Sequence, residues 1–449
     1  MRSVSSKPEM RIPATIPFVD VVTPHVALEE ELLTVFRAAL RSGTFVGGAM
    51  VEDFEREFAR HCGARFCIGV SGGREALKLA LLATGVSCED IVLTVPNALA
   101  STAEAISQVG ARPDFIDVDD RTGTMDPNEL ERHLCAQCRT DPVTGAFLDR
   151  TTGAPLAAIV PVHLHGQMAN MDPILEIAER YGLVVIEDAS QAHGAEYFSN
   201  KESRWRKAGS MGHVAAFGFD PGANLGACGE AGTVTTNDGE IAKEVRRLRD
   251  RDQTQQTNEY SAGQDSGLNT LQAGFLEVKL RHLADWDKKR RENAFCYHGL
   301  LTSVADRIRI PYEPSWAKAT YHSYAIRLRK RDDLRAYLQE AKIATRTPGV
   351  LSWHVKHPNR AVRDMSGGFP VAERIASESL SLPIYPHLEF DQQCRIAQKI
   401  IDFVAREKAE SPIRPIRGIP KVSDRAEEET SGTEISENPW NPTKVRNIS

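Results

Sequence analysis

The chain has 449 residues, 41% apolar and 26% charged, with a formal net charge of −6. That length suits one large domain and a smaller one, each with its own core, and the absence of a basic face or tail points away from nucleic acid. No apolar run approaches the ~18 residues that a membrane-spanning helix needs, and the opening MRSVSSKPEMRIPATIP has no apolar signal core, so a cytoplasmic location is expected.

Residues 1–15 read as a flexible lead-in. From 27 to 42, Leu28, Leu32, Leu33, Phe36 and Leu40 recur at helical spacing. A second helix follows through Phe54 and Phe58 and stops at Gly63. The pattern then changes. Arg65–Val70 is a short apolar run that ends in Ser71-Gly72-Gly73, and a helix over 74–84 comes next. Strand, glycine turn and helix open a βα unit. The same alternation predicts strands at 90–95, 114–118, 157–162, 183–187, 213–219 and 232–236, with helices at 101–109 and 171–181. Short apolar strands between amphipathic helices give a largely parallel sheet covered on both faces. Ligands of such sheets bind at the carboxyl ends of the strands.

A long helical stretch at 268–300 leads from a large domain (16–300) to a smaller C-terminal α/β domain (301–408). Residues 409–449, rich in Pro, Ser, Glu and Thr, read as a disordered tail. The segment 136–153 reads as a surface loop insertion. Eight scattered cysteines make no disulfide framework, and the single CxxC, Cys135 to Cys138, lacks the second pair of a zinc site, so no metal is expected.

Three segments carry chemistry. The first is Ser71-Gly72-Gly73-Arg74-Glu75-Ala76-Leu77. The second joins Val162-His163-Leu164-His165-Gly166-Gln167 to Glu187-Asp188-Ala189-Ser190-Gln191-Ala192-His193-Gly194. The third is Phe217-Gly218-Phe219-Asp220-Pro221-Gly222-Ala223-Asn224-Leu225-Gly226-Ala227. In order and spacing they resemble the DegT/DnrJ/EryC1/StrS family of nucleotide-sugar aminotransferases, over roughly residues 16–405. The resemblance implies a fold-type-I aminotransferase: α/β, with a mostly parallel sheet of the seven-stranded type in the large domain. It implies pyridoxal phosphate as the family's cofactor, a small-molecule sugar-like substrate, and a homodimer. Asp188 matches the family's partner of the pyridine nitrogen, and Gln191 the residue at the ring oxygen. Gly72 and Gly73 match the turn that offers backbone N–H groups to the phosphate. His163 matches a histidine near the site.

The sequence departs from that pattern where the cofactor would be held. The Schiff-base lysine of the family falls at Ala223, which has no amine. The phosphate serine falls at Gly218, the glycine-turn threonine at Gly73, the partner-donated asparagine at Asp265 and the stacking aromatic at Leu99. Five changes together predict a remodelled site with no pyridoxal phosphate or only weakly bound cofactor. Asp188, His193 and His163 are then the candidate acid–base groups, with Arg74 and Asp220 as candidate substrate contacts. The expected function is a repurposed enzyme of sugar or secondary-metabolite biosynthesis, catalysing dehydration, isomerisation or cyclisation. The alternatives are a non-catalytic partner of a lysine-bearing paralogue, as a heterodimer, and an aminotransferase that uses pyridoxal phosphate without the usual lysine.

Overall fold

The computed structural model describes residues 15–98, 100–250, 266–347 and 368–410. Leu99, Asp265, nearly all of the expected flexible N-terminus and the expected disordered tail beyond Glu410 lie outside the described residues.

The main sheet has seven strands, numbered here in chain order: β1 (Phe66–Val70), β2 (Ile91–Thr94), β3 (Arg112–Phe115), β4 (Leu156–Ile159), β5 (Val184–Asp188), β6 (Val214–Gly218) and β7 (Gly232–Thr236). Their spatial order is β1-β7-β6-β5-β4-β2-β3. Only β7 runs antiparallel to its neighbours; the β6-β5-β4-β2-β3 pairings are all parallel. The inner strands are largely apolar because both faces are covered, whereas the edge strand β3 reads Arg112-Pro113-Asp114-Phe115. Successive side chains point to opposite faces, so Val185, Ala215 and Phe217 enter one core with Phe54 and Phe58. Ile186, Val214 and Ala216 enter the other, with Leu77, Leu81 and Ile106.

A further core lies in the C-terminal part. It packs a two-stranded antiparallel sheet of Tyr324–Arg327 and Ser379–Leu382 against the helices Arg331–Glu340 and Phe390–Glu410. Ala294, Tyr297 and Leu301, from the 32-residue helix Thr270–Leu301, belong to this core, as does Ile16. Ile16 N–H donates to Lys342 O at 2.9 Å. The long helix therefore serves two cores, its first half packing on the main sheet through Leu276 and Leu283.

The segment 136–153 is not a loop. It forms a small hairpin of Cys138–Thr140 with Phe147–Asp149. Cys138, Phe147 and Asp149 of this hairpin are buried. The two cysteines of the CxxC are thus split, with Cys135 exposed on a helix and Cys138 buried.

Candidate active site

A cavity of about 450 Å³ opens at the carboxyl edge of the sheet. Asn97 and Ala98 reach it from beyond β2, Leu164 and His165 from beyond β4, Ser190 and Gln191 from beyond β5, and Asp220, Gly222 and Ala223 from beyond β6. His322, Ser323, Arg346 and Ser381 close it from the second core. This is where an open α/β sheet places its ligand.

The structure separates the residues expected at the site. Ala223 lines the cavity, its N–H donating to Asp220 O at 2.8 Å, and brings only a methyl group. Gln191 lines it too, with Oε1 accepting from His165 N–H at 2.8 Å. Asp220 is exposed on the rim. Asp188 is nearly buried and does not line the cavity. Its Oδ2 accepts from Thr102 Oγ1 at 2.7 Å and its Oδ1 from Ser190 N–H at 3.3 Å.

The two histidines expected as acid–base groups are elsewhere. His163 is fully buried. Ala169 N–H donates to its Nδ1 at 3.1 Å, which puts the proton on Nε2, and Nε2–H donates to Glu187 Oε2 at 2.8 Å. Glu187 also accepts from the backbone N–H groups of Gly209, Met211 and Gly212, at 3.0, 2.8 and 2.7 Å. Burial alone would raise this carboxyl. The hydrogen bonds from His163 and the backbone outweigh it and hold the group below its ordinary value. His193 is also fully buried, its ring centroid 5.6 Å from that of Phe217 and 5.2 Å from that of Phe219. Burial pushes it down to about 3, so it stays neutral inside an aromatic core. Arg74 does not reach the cavity: its guanidinium lies 3.5 Å from Glu104 and is 56% exposed.

The glycine turn packs tightly against the end of β6. A Cβ on Gly73 would lie 2.7 Å from Gly218 Cα, and a Cβ on Gly218 would lie 3.2 Å from Gly73 Cα. The helix start at Gly73 and the end of β6 at Gly218 meet backbone to backbone. Threonine at 73 and serine at 218 do not fit here unless those ends part.

Two residues that the motifs did not single out do line the cavity. His165 sits at φ 59°, a left-handed backbone uncommon outside glycine. Burial lowers its imidazole to about 4. His322 is lowered to about 3, by burial first and then by nearby charges, Arg290 foremost. A Cβ on Gly166 would lie 2.7 Å from His322 N, so the two loops touch directly. His165 stood inside the quoted VHLHG run; nothing local to His322 marked it.

Beneath the Ala223 loop, Asn224 Nδ2 donates to Asp287 Oδ1 and to Thr320 O, both at 3.1 Å. Burial raises the Asp287 carboxyl to about 7 against its ordinary 3.8. The folded state therefore binds this proton more tightly than the unfolded chain. The stability it contributes is full below about pH 4 and is lost as pH rises to about 7. Asp287→Asn should flatten that slope. Urea midpoints should show its advantage over the parent growing by about 2–3 kcal/mol between pH 5 and pH 8.

A mostly parallel seven-stranded sheet, a ligand cavity at its carboxyl edge and an aspartate ending the strand beside it define a fold-type-I aminotransferase scaffold. The chain belongs to the DegT/DnrJ/EryC1/StrS aminotransferase family, whose model matches residues 26–401. It is 36% identical to a pleiotropic regulatory protein of Geobacillus stearothermophilus over 86% of this chain and 98% of that protein. It is 33% identical to the dTDP-3-amino-3,4,6-trideoxy-alpha-D-glucose transaminase of Streptomyces venezuelae over 87% of this chain and 97% of that one. Its fold matches the crystal structure of a DegT/DnrJ/EryC1/StrS aminotransferase from Brucella abortus with a TM-score of 0.77 at 30% identity, covering 86% of this chain and 99% of that one. Among the described residues, no helix is long and apolar enough to cross a membrane.

Proposed function

We propose that this chain binds a nucleotide sugar, or a sugar-like biosynthetic intermediate, in the cavity around Ala223. It acts there by proton transfer, as in dehydration, isomerisation or cyclisation, without pyridoxal phosphate on a lysine. The observation that carries this reading is the alanine on the cavity wall where the family pattern calls for an amine. The Gly73–Gly218 contact supports it, because neither position brings a hydroxyl and a side chain at either would meet backbone of the other. The substrate class follows the dTDP-sugar named for the Streptomyces relative.

The residues divide the work. Arg346 is the one lysine or arginine lining the cavity among the described residues, and its guanidinium can take a phosphate on two N–H groups. His165 and His322, neutral at pH 7, accept a proton from a carbon beside a sugar carbonyl and return it elsewhere. We further propose that the protein pairs with a second copy, since Phe36, Leu40, Phe45 and Val46 leave apolar side chains exposed.

Calorimetric titration with dTDP- and UDP-linked keto sugars should show binding, and the bound sugar should take up deuterium from heavy water. His165→Phe should slow that exchange by about 10²–10⁴ with binding retained. Arg346→Ala should weaken binding by about 10- to 100-fold. Efficient amino transfer with added pyridoxamine phosphate, or no binding of any nucleotide sugar, would refute the reading.

A further inference from the structure

Outside the cavity, three reactive side chains from three separate elements meet. His25 comes from the short helix Thr23–Ala27, Cys228 from the loop beyond Ala223, and Lys279 from the long helix. His25 Nε2 lies 2.8 Å from Lys279 Nζ and 3.3 Å from Cys228 Sγ, and Lys279 Nζ lies 3.8 Å from the same sulfur. The His25 Nδ1–H donates to Val21 O, so Nε2 is the basic nitrogen and faces the sulfur. The Cys228 backbone N–H donates to Gln272 Oε1 at 2.7 Å, which fixes the loop that carries the thiol.

The lysine supplies a second, independent argument. Lys279 is only 3% exposed. Its ammonium donates to Gly226 O at 2.6 Å, and its other described neighbours are His25 and Cys228; no carboxylate pairs with it among the described residues. A buried cation without a counter-charge is costly. Burial lowers this amine, and the cysteine is the group that opposes the shift. The Cys228 thiol is the one acid-bearing side chain within 4 Å of this ammonium among the described residues. Cys228 itself is exposed, so a reagent can approach it. Asp20 and Arg290 are the other charged groups on the small cleft that His25 and Lys279 line.

We propose that Cys228 is a nucleophilic thiol, activated by His25 and Lys279, and a site of covalent modification by hydroperoxides. The sulfur attacks the distal peroxide oxygen, so that an S–O bond forms as the O–O bond breaks. Sulfur loses two electrons and the peroxide gains them. The thiol proton passes to His25, and the departing oxygen takes a proton from the ammonium or imidazolium and leaves as water or an alcohol. The product is a sulfenic acid at 228. This inference does not rest on the sugar-binding reading, because His25, Cys228 and Lys279 do not line that cavity.

Cys88 and Cys135, both exposed, serve as internal controls in the intact protein. With limiting iodoacetamide at pH 7, peptide mapping should show Cys228 alkylated at least about 10-fold faster than either control. With hydrogen peroxide, dimedone should trap a sulfenic acid at Cys228 first. His25→Gln and Lys279→Met should each bring Cys228 back to the rate of Cys88. If Lys279→Met does not fold, His25→Gln still decides, since His25 lies on a surface helix. A Cys228 that reacts no faster than Cys88, or one whose rate is unchanged by His25→Gln, would overturn the proposal.

Discussion

Replacing Glu187 by leucine is expected to remove about 3–5 kcal/mol of stability, a large share of the total for a domain. The carboxylate is fully buried and accepts three backbone N–H groups and the Nε2–H of His163. Leucine leaves all four donors without an acceptor in a dry interior, and each orphaned donor costs about 1–3 kcal/mol. Glu187→Gln keeps the volume and one acceptor oxygen, so its loss should be about half as large. Urea denaturation at pH 7 measures both. The pH trend of this residue runs opposite to that of Asp287. A carboxyl held below 4.5 in the fold contributes stability above that value and loses it as pH falls through its folded value. If both variants unfold at the parent's midpoint, the Glu187–His163 bond is not the structural element described here.

Ala223→Lys is expected not to restore tight binding of pyridoxal phosphate. The amine alone returns one attachment point. A phosphate cup also needs hydroxyl donors, and Gly73 and Gly218 supply none. Two missing charge-assisted hydrogen bonds, at about 1.5–3 kcal/mol each, correspond to an affinity about 10²–10⁴ weaker than that of a lysine-bearing relative. Absorbance titration followed by borohydride reduction and peptide mapping reads this directly. Dissociation within about tenfold of such a relative would show that the cup holds phosphate by backbone N–H groups alone. Gly73→Thr is no remedy, since its Cβ would meet Gly218 Cα at 2.7 Å.

The sheet was legible because its inner strands, such as β2 and β6, are mainly apolar runs of four or five residues covered on both faces, a pattern that survives without neighbours. The hairpin at 138–149 was not, since strands of three residues are too short to show a period of two. The cavity wall was legible where a motif placed a residue just beyond a strand end, as for Gln191, Asp220 and Ala223. The histidines were misplaced for a geometric reason. Adjacent strand residues face opposite ways, so Glu187 turns to His163 while Asp188 turns to Thr102. A one-dimensional motif puts all of them near one point. His322 and Arg346 enter the site from a different core, more than 90 residues beyond Ala223, and no local pattern could announce them.

The contact between Gly73 and Gly218 joins two positions 145 residues apart in the chain. Each glycine occupies room that a side chain on the other would need: a Cβ at 73 meets backbone at 2.7 Å and one at 218 meets it at 3.2 Å. The two positions therefore behave as one unit in any redesign, since a side chain at either requires the other backbone segment to shift.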